Sequence, residues 1–557
     1  MTRSPMSAVA SRAGPSCWQR RAAKKSEGNS GRNAMSSAFG NHTLGIPYQP
    51  VAEMLAQYRA RDPHKRAIVD LDTGRSITFG ELEQAVTDIA VFLKARGVGK
   101  GGRVLLLSDE GLEKLLIWLA TWRIGAVICP LNIELNQKMM VELTRAVDPA
   151  LILCQKDLDM AALVGDHPAP RLRFGEWSPA EPDPQDELFA AVPRGRNAAE
   201  LPERNEPEDV ACIFCTSGTT ARPKIVVYDH AAYWLNGLST LECLGLTEDD
   251  RTLEYRSFGW NSAQVLSLMP FLEKGLTMHI AKRFSHSRFF EWIQTFGITF
   301  AAGVPTVLNM LLNRPLGYTA KDIPTLRLMT CSTAPLTAKQ WSQFEEMYGV
   351  HLLQMYGMSE AGWVCGNRHY KFKLGTVGLP ALHQEFEIVD ADGKPCPPGV
   401  EGEITAGGPH TAIGYLRDDG TIEPIRPNRI KTGDLGVRDE DGFIRVTGRT
   451  KDLIIRGGMN IAPLEIDEIL LRSSGVLEAA AVGVPDNIYG EEVVCYVIPK
   501  DRTVTEVSIL QHCQQYLPPA KMPKQVFLVS SLPKNDRGKI LRDKLRDDWS
   551  ARVALSA

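Results

Sequence analysis

Long apolar runs, a marked charge imbalance and a Walker-type phosphate loop are all missing from this 557-residue chain. No stretch of about 18 consecutive apolar residues occurs, and this excludes a membrane span predicted from hydropathy. The net charge is only −3, with 63 basic and 66 acidic residues, which argues against a dedicated nucleic-acid binder. Because the pattern GxxxxGK[ST] is also absent, any nucleotide phosphate would have to be bound by another kind of loop.

Closely spaced cysteines are scarce as well. Eleven cysteines are scattered along the chain, and the only close pair, Cys212-x-x-Cys215, has no second pair to complete a zinc site. We interpret the two residues as small apolar side chains of a buried strand. An odd cysteine count without a signal peptide favours free thiols in a reducing compartment, so we expect a cytoplasmic protein.

The first 34 residues differ in composition from the rest. Residues 1–34 carry seven Lys or Arg against one acid, Glu27, with Ser, Gly and Ala between them. The composition is that of a transit peptide, but the amphipathic pattern of one is missing. We interpret the segment as a disordered leader, or as the result of a start codon placed too early, with Met35 as the real start.

Strand-like runs alternate with helical patterns from about residue 50 to 430. Residues 103–107 and 126–130 are strand candidates, and 111–124 between them has helical spacing. Such alternation predicts an α/β fold with parallel sheets covered by helices, in two to four domains for this length. From 384 to 447, short strands with tight turns predict a small β subdomain.

A loop rich in small and hydroxylated residues is the most informative motif. A strand candidate at 210–215 runs directly into it. The loop consists of Thr216, Ser217, Gly218, Thr219, Thr220, Ala221, Arg222, Pro223 and Lys224. Its N–H groups and hydroxyls are donors suited to a polyphosphate, and Lys224 adds a positive charge. A flexible surface turn is the alternative interpretation.

Four further segments carry side chains suited to a nucleotide. They are Tyr356-Gly357-Met358-Ser359-Glu360, Lys431-Thr432-Gly433-Asp434, Gly448-Arg449-Thr450-Lys451-Asp452 and Pro533-Lys534-Asn535-Asp536-Arg537-Gly538-Lys539-Ile540. Glu360 offers a hard oxygen ligand for Mg²⁺, Asp434 can accept both hydroxyls of a ribose, and Lys539 lies on a predicted exposed turn that could bring a cation to a site. Alternatively, Ser359 caps a helix, Asp434 is a solvated turn residue, and Lys539 belongs to a solvated basic tail.

Together and in this order, the five segments resemble the AMP-forming adenylating enzymes, which include acyl- and aryl-CoA synthetases, peptide-synthetase adenylation domains and luciferases. The resemblance covers about 45–545 and includes Thr78-Phe79-Gly80-Glu81-Leu82 and Lys373-Leu374-Gly375-Thr376-Val377-Gly378-Leu379-Pro380. It implies a large N-terminal domain of αβ-layered sheets at 35–449, with the β subdomain at 384–447. It also implies a hinge at 450–451 and a small mobile α+β C-terminal domain at 452–557.

The resemblance further implies a role for each matching residue. The β- and γ-phosphates of ATP would be held by Thr216, Ser217, Gly218, Thr219, Thr220 and Lys224. The adenine would contact Ser332, Thr333 and Ala334, with Tyr356 against the purine and Gly357 beside it. Ser359 would lie near the α-phosphate, and Asp434 and Arg449 would hold the ribose. The implied catalytic residues are Lys539, Glu360 and Arg449, with Glu360 at the metal. Lys451 would be the hinge, Gly457 and Gly458 would contact CoA, and Trp260, Asn261 and Trp363 would line the acyl pocket.

The chain departs from the family pattern at several of these positions. Ala221 and Ile225 stand where glycines are usual, and Ala221 allows the loop less backbone freedom. Ser332 and Thr333 replace two glycines of the adenine turn. The segment 257–261 lacks the usual aromatic–histidine step.

The implied reaction is ATP-dependent activation of a carboxylic acid to acyl-AMP and pyrophosphate, followed by acyl transfer to CoA. It would require ATP, Mg²⁺ and CoA. No nucleic-acid partner is expected. Two indoles, Trp260 and Trp363, favour a short or polar acid. An inward-pointing Arg256, Arg368 or His369 would favour a dianion such as sulfoacetate or malonate. The alternatives are an acyl-AMP ligase that loads a carrier protein, an aryl- or medium-chain acid–CoA ligase, and a non-catalytic adenylate-binding protein.

Overall fold

The computed structural model describes residues 34–36, 43–178, 180, 183–216, 223–333, 336–535 and 538–556. Residues 1–33 of the predicted leader lie outside this range. So do Ser217, Gly218, Thr219, Thr220 and Ala221 of the phosphate loop, and Ala334 of the adenine turn. The chain divides into a segment Met1–Gln49, in which Ala34–Ser36 pairs antiparallel with Thr43–Pro47, and a compact unit Pro50–Ala557.

The first large sheet of the compact unit has eight strands. In spatial order they are Ile422–Pro424, Gly414–Leu416, Ile225–Asp229, Val210–Cys215, Val127–Pro130, Arg103–Leu107, Leu151–Gln155 and Arg171–Phe174. The last five run parallel to one another. The strands predicted at 103–107 and 126–130 and the helix between them, Leu112–Arg123, are confirmed.

The second large sheet has nine strands. In spatial order they are Leu379–Pro380, Gly362–Gly366, His351–Met358, Leu328–Cys331, Phe300–Ala301, Arg251–Glu254, Thr277–Ile280, Arg66–Asp70 and Ser76–Thr78. The six from His351–Met358 to Arg66–Asp70 are parallel. Parallel sheets need cover on both faces, and the buried strands and helices form the predicted α/β layers.

Helices cover these sheets, and several of them begin at a residue whose side chain caps the helix. The helices before residue 450 are Val51–Arg61, Phe79–Ala95, Leu112–Arg123, Gln137–Val147, Met160–Val164, His230–Leu244, Asn261–Ala263, Met269–Lys274, Phe289–Phe296, Pro305–Asn313 and Ala338–Tyr348, with a π-helical turn at Gln264–Leu268. In the Thr78–Leu82 motif, the Thr78 hydroxyl accepts the Glu81 N–H and the Glu81 carboxylate accepts the Thr78 N–H. This capping box explains why the helix starts at Phe79.

A separate four-stranded antiparallel sheet follows. Its strands are Glu385–Val389, Gly402–Gly407, Ile430–Arg438 and Ile444–Arg449. Two further strands from the same stretch, Gly414–Leu416 and Ile422–Pro424, instead extend the eight-stranded sheet. Leu416 is buried there in the same core as Ile225 and Val227, so burial of an apolar side chain accounts for the different placement.

The C-terminal residues build an α+β layer with its own core. The strands are Ile454–Arg456, Met459–Ile461, Val476–Asp486, Gly490–Pro499 and Gln525–Leu528, and the helices are Pro463–Arg472, Glu506–Gln514 and Arg542–Ser556. Ile454, Ile466 and Cys495 are among the residues buried between them. The observed architecture therefore matches the predicted fold class, a large domain of αβ-layered sheets followed by a small α+β domain.

Two negative predictions can be compared with the described part of the chain. None of its helices combines the length and the apolar character needed to cross a bilayer. Cys212 and Cys215 lie buried in the strand Val210–Cys215, and neither forms a disulfide. Their interpretation as small apolar strand residues agrees with this placement.

Candidate active site

A cavity of about 580 Å³ lies where the second large sheet, the four-stranded sheet and the C-terminal residues meet. Thr333, Tyr356, Asp434, Arg449 and Lys539 all line it. These residues come from the adenine turn and the four further segments singled out in the sequence, and they are separated by up to about 200 positions. The fold therefore brings side chains from all five of these segments to one cavity.

Asp434 is the centre of a hydrogen-bonded group on this cavity. It lies in the strand Ile430–Arg438, opposite Arg449 of the neighbouring strand. Its Oδ1 forms an ion pair with the Arg449 Nε at 2.7 Å, and its Oδ2 accepts the Tyr356 hydroxyl at 2.7 Å. Burial and the Asp434 charge raise the pKa of Tyr356 well above its usual value, so this phenol remains a donor. The alternative interpretation of Asp434 as a solvated turn residue is wrong, because Asp434 is buried within a strand.

Lys539 reaches the same cavity from the C-terminal residues. The Asn535 Oδ1 accepts the Lys539 backbone N–H at 2.9 Å, and the Asn535 N–H donates back to the Lys539 carbonyl at 2.9 Å. The side chain is half-buried rather than on a fully exposed turn. Burial, followed by the charge of Arg449, lowers the pKa of Lys539 to about 8, although Asp434 and Asp452 act in the opposite direction.

Gly538 brings the lysine close to the large domain. Its φ is +75°, and a Cβ at this position would lie only 1.9 Å from the Thr306 Oγ1. Thr306 belongs to the helix Pro305–Asn313, which lines the cavity. The small residue therefore permits a close approach that a side chain would prevent.

The described ends of the phosphate loop are tied together. The Thr216 N–H donates to the Lys224 carbonyl at 2.8 Å, and the Lys224 N–H donates to the Thr216 Oγ1 at 3.1 Å. The Lys224 Nζ donates to the Tyr415 hydroxyl at 3.4 Å, which in turn donates to the Glu360 Oε1 at 3.0 Å. The Tyr415 hydroxyl thus connects Lys224, which the resemblance assigned to the ATP phosphates, with Glu360, which it assigned to the metal.

Tyr415 was missed in the sequence. It lies on the short strand Gly414–Leu416, within a stretch predicted to belong wholly to the β subdomain. The alternation of Ile413, Gly414, Tyr415 and Leu416 places Tyr415 on the opposite face from the buried Leu416. That alternation marks a strand, but its pairing with Ile225–Asp229 is a long-range contact that the local pattern does not reveal.

Glu360 fits a magnesium ion that arrives with a nucleotide. Its carboxylate is 8% exposed, and its Oε1 is fixed by Tyr415. The described residues contain no group of three or more His, Cys, Asp or Glu that could hold a metal by themselves. One carboxylate with waters and substrate phosphates is a usual environment for Mg²⁺, so the residues present fit this metal.

The adenine turn contains an unusual backbone conformation. Ser332 follows the strand Leu328–Cys331 and is buried, and Thr333 has φ of 78°. This φ angle is strained for a β-branched residue. Thr333 stands at one of the two positions where the resemblance leads us to expect glycine. Gly357 also lines the cavity, whereas Ser359 is half-buried in the turn before Glu360. The Ser359 carbonyl accepts the Tyr228 hydroxyl at 3.0 Å.

The residues predicted for the acyl pocket are not among those that line this cavity. Trp363 is buried, and its Nε1 donates to the Thr240 Oγ1. Trp260 is half-buried and precedes the helical segment that begins at Asn261. Asn261 is 7% exposed, and no described residue accepts a hydrogen bond from its Nδ2.

The three cations considered for a second anionic group have different environments. Arg368 donates to the carbonyls of Gly366, Leu379 and Pro380, each at 2.7 Å, which occupies its guanidinium. His369 contacts the Cys243 carbonyl. Arg256 pairs with Glu254 at 2.6 Å and also lies 3.5 Å from the Ser332 Oγ. Of the three, only Arg256 reaches the adenine turn.

The predicted hinge and CoA-binding residues are not among the residues that line the cavity. Lys451 is exposed in the single turn Thr450–Asp452 that follows Arg449. Gly457 and Gly458 form the turn between two short strands, with φ of 57° and 82°. Both angles favour glycine. The residues around this turn include the exposed apolar side chains Ile455, Met459, Ile488 and Tyr489.

Comparisons with known proteins agree with this arrangement. Residues 55–416 match the family model described as AMP-binding enzyme, and residues 465–539 match the AMP-binding enzyme C-terminal domain. A probable CoA ligase of Humulus lupulus is 32% identical over 86% of this chain and 93% of its own length. The sulfoacetate–CoA ligase of Cupriavidus necator is 31% identical over 89% and 97%.

A solved structure shows the same fold. The crystal structure of ATP-bound MatB from Rhodopseudomonas palustris superimposes with a TM-score of 0.81 at 29% identity, covering 89% of this chain and 99% of that one. The curated relatives agree with the predicted class of reaction, ligation of a carboxylic acid to CoA. The family models, the relatives and the fold together confirm the predicted membership: this chain belongs to the AMP-binding enzyme family, the AMP-forming adenylating enzymes.

Proposed function

We propose that the protein activates a carboxylic acid with ATP to give acyl-AMP and pyrophosphate, and then transfers the acyl group to CoA. The observation that carries this proposal is the position of Lys539, which faces Asp434 and Arg449 across one cavity. The Lys539 cation of the small domain and the Asp434 carboxylate of the large domain, which could accept the hydroxyls of a ribose, thus line one cavity. A purely adenylate-binding protein would have no need of the cation.

In the first half-reaction, two anions must approach each other. The carboxylate of the acid attacks the α-phosphorus of ATP, the bond to the β-phosphate oxygen breaks, and pyrophosphate leaves. Lys539 would hold the carboxylate and an α-phosphate oxygen together and offset their charge. Asp434 and Arg449 would fix the ribose, and Thr216 and Lys224 would hold the outgoing phosphates. Mg²⁺, held by Glu360 and the phosphates, would supply further charge neutralisation.

In the second half-reaction, a thiol must reach the acyl carbon that Lys539 would cover. Rotation of the small domain about Lys451 would withdraw Lys539 and bring Gly457 and Gly458 to the site. The exposed apolar side chains Ile455 and Ile488 beside this turn would then be covered. The sulfur attacks the acyl carbon, AMP leaves with the carboxylate oxygen, and the thiol proton passes to solvent.

The substrate is proposed to be a short or polar acid. Trp260 and Trp363, the two bulky indoles predicted for the acyl pocket, would leave it short, and Trp363 is buried. Arg256 is the cation that could contact a second anionic group, although Glu254 balances its charge. The relative that acts on sulfoacetate supports testing a dianion first. We further propose that the reaction takes place in the cytoplasm, where the free cysteines of the described residues would remain reduced.

A panel of carboxylic acids tests this proposal. We expect acid-dependent pyrophosphate release with ATP and Mg²⁺, and an acyl-CoA detected by mass spectrometry when CoA is added. Sulfoacetate, malonate, acetate, benzoate and palmitate should be compared at equal concentration. Fastest turnover on palmitate would contradict the short-acid proposal. Pyrophosphate release without any acyl-CoA, but with acylation of a carrier protein, would favour the acyl-AMP ligase alternative.

A further inference from the structure

Tyr415 lies between the cation of the phosphate loop and the carboxylate proposed for the metal. Its strand pairs antiparallel with Ile225–Asp229, the strand that Lys224 immediately precedes. The Lys224 Nζ lies 4.7 Å from the centre of the Tyr415 ring and 3.4 Å from its hydroxyl. The same hydroxyl donates to the Glu360 Oε1 at 3.0 Å. One phenol therefore contacts both charged groups.

The direction of these hydrogen bonds matters. Lys224 donates to the phenol oxygen, and the phenol hydrogen goes to Glu360, so each charge is met by a neutral group. A direct ion pair would instead occupy the ammonium needed at the phosphates and the carboxylate needed at the metal. Because Glu360 is largely buried, attraction between the two charges would be only weakly screened.

The surroundings keep the phenol in this role. Tyr415 is half-buried on the strand Gly414–Leu416. The Ala412 N–H donates to the Glu360 carbonyl at 2.9 Å, which links the two chain segments beside the phenol. The contact between an ammonium and an aromatic ring at an exposed site is weak, and phosphates could displace it.

We propose that Tyr415 is a positioning residue for ATP, which keeps Lys224 and Glu360 from neutralising each other until the nucleotide arrives. The ring holds the ammonium beside the phosphate loop, and the hydroxyl holds the carboxylate at the metal position. When ATP binds, Lys224 moves from the ring to the phosphates, and Glu360 meets the metal. This inference rests on the proposed roles of Lys224 and Glu360.

Binding of metal-free ATP, measured in EDTA, tests directly whether Tyr415 keeps Lys224 apart from Glu360. In Tyr415→Ala, Lys224 should be captured by Glu360, and we expect the Kd measured by calorimetry on the full chain to rise about tenfold. The additional substitution Glu360→Gln removes the negative charge that would pair with Lys224. The double variant Tyr415→Ala/Glu360→Gln should therefore bind metal-free ATP as tightly as Glu360→Gln alone. Tyr516→Ala, a change of the same size at an exposed position in the small domain, should bind like the wild type.

Two results with the Ala variants would overturn the proposal. One is unchanged ATP binding by Tyr415→Ala, and the other is a double variant as weak as Tyr415→Ala. Tyr415→Phe, which keeps the ring, provides a test that does not depend on the Ala variant folding. We expect metal-free ATP binding within about twofold of wild type but an approximately fivefold higher Mg²⁺ requirement for adenylation, and an unchanged Mg²⁺ requirement also overturns the proposal.

These measurements separate this inference from the proposed reaction. ATP binding needs no acid, so a wild-type chain that binds ATP yet activates none of the acids would contradict the proposed function while leaving the role of Tyr415 intact. Normal acid activation by the wild type, together with an unaffected Tyr415→Ala variant, would contradict the role of Tyr415 alone.

Discussion

Replacing Lys539 by Ala is expected to lower the rate of acyl-AMP formation by about 10³-fold, because preorganised charge at a developing anion accounts for effects of this size. The variant should still convert supplied acyl-AMP and CoA to acyl-CoA at a rate near that of the wild type. Lys539 would be withdrawn from the site in that half-reaction. Pyrophosphate release and thioester formation, measured separately, give the two rates.

A lysine nearby provides the control for this prediction. Lys544 is exposed on the helix Arg542–Ser556, and Lys544→Ala removes the same charge without reaching the cavity. It should keep both half-reactions. Equal loss of both half-reactions in Lys539→Ala would contradict the assigned role and point instead to a fault in folding or in nucleotide binding.

Replacing Asp434 by Asn is expected to raise the KM for ATP by about 10²-fold. The carboxylate pairs with Arg449 through one oxygen and accepts the Tyr356 hydroxyl with the other, whereas an amide is neutral and offers only one acceptor oxygen. Hydrogen bonds to a charged group are each worth about 1.5–3 kcal/mol, and about 1.4 kcal/mol corresponds to a factor of ten in affinity. Loss of the charge should therefore weaken the proposed ribose contact and misplace Arg449.

A surface carboxylate separates the local effect from a general one. Asp392→Asn changes an exposed turn residue of the four-stranded sheet region and should leave the KM for ATP unchanged. Thermal denaturation of both variants checks that the fold is retained. An unchanged KM in Asp434→Asn would exclude a nucleotide-binding role for this group.

Secondary-structure elements around the site could be recognised from local patterns in the sequence. The apolar run at 210–215 followed by hydroxylated residues predicts a buried strand that opens into a loop, and the structure has Val210–Cys215 in that place. The Thr78–Leu82 motif, which is part of the family resemblance, forms the capping box at which the helix Phe79–Ala95 begins. In both cases, residues within one element determine its structure.

Features that depend on distant contacts could not be predicted in the same way. Tyr415 acquires its position from pairing with a strand about 190 residues earlier, and neither strand carries a local sign of that partner. Lys539 lies in a basic segment that resembles a solvated tail, and it is half-buried only because Gly538 permits close approach to Thr306. Likewise, Arg368 appeared suited to an anion, but three backbone carbonyls occupy its guanidinium.

The fate of the carboxylate oxygen tests the central claim most directly. The acid should be supplied with both carboxylate oxygens labelled with ¹⁸O, together with ATP, Mg²⁺ and CoA, and the nucleotide product analysed by mass spectrometry. Attack of the carboxylate on the α-phosphorus, followed by attack of CoA on the acyl carbon, predicts AMP that carries one labelled oxygen. Unlabelled AMP, or ADP with the label in inorganic phosphate, would contradict an acyl-AMP intermediate.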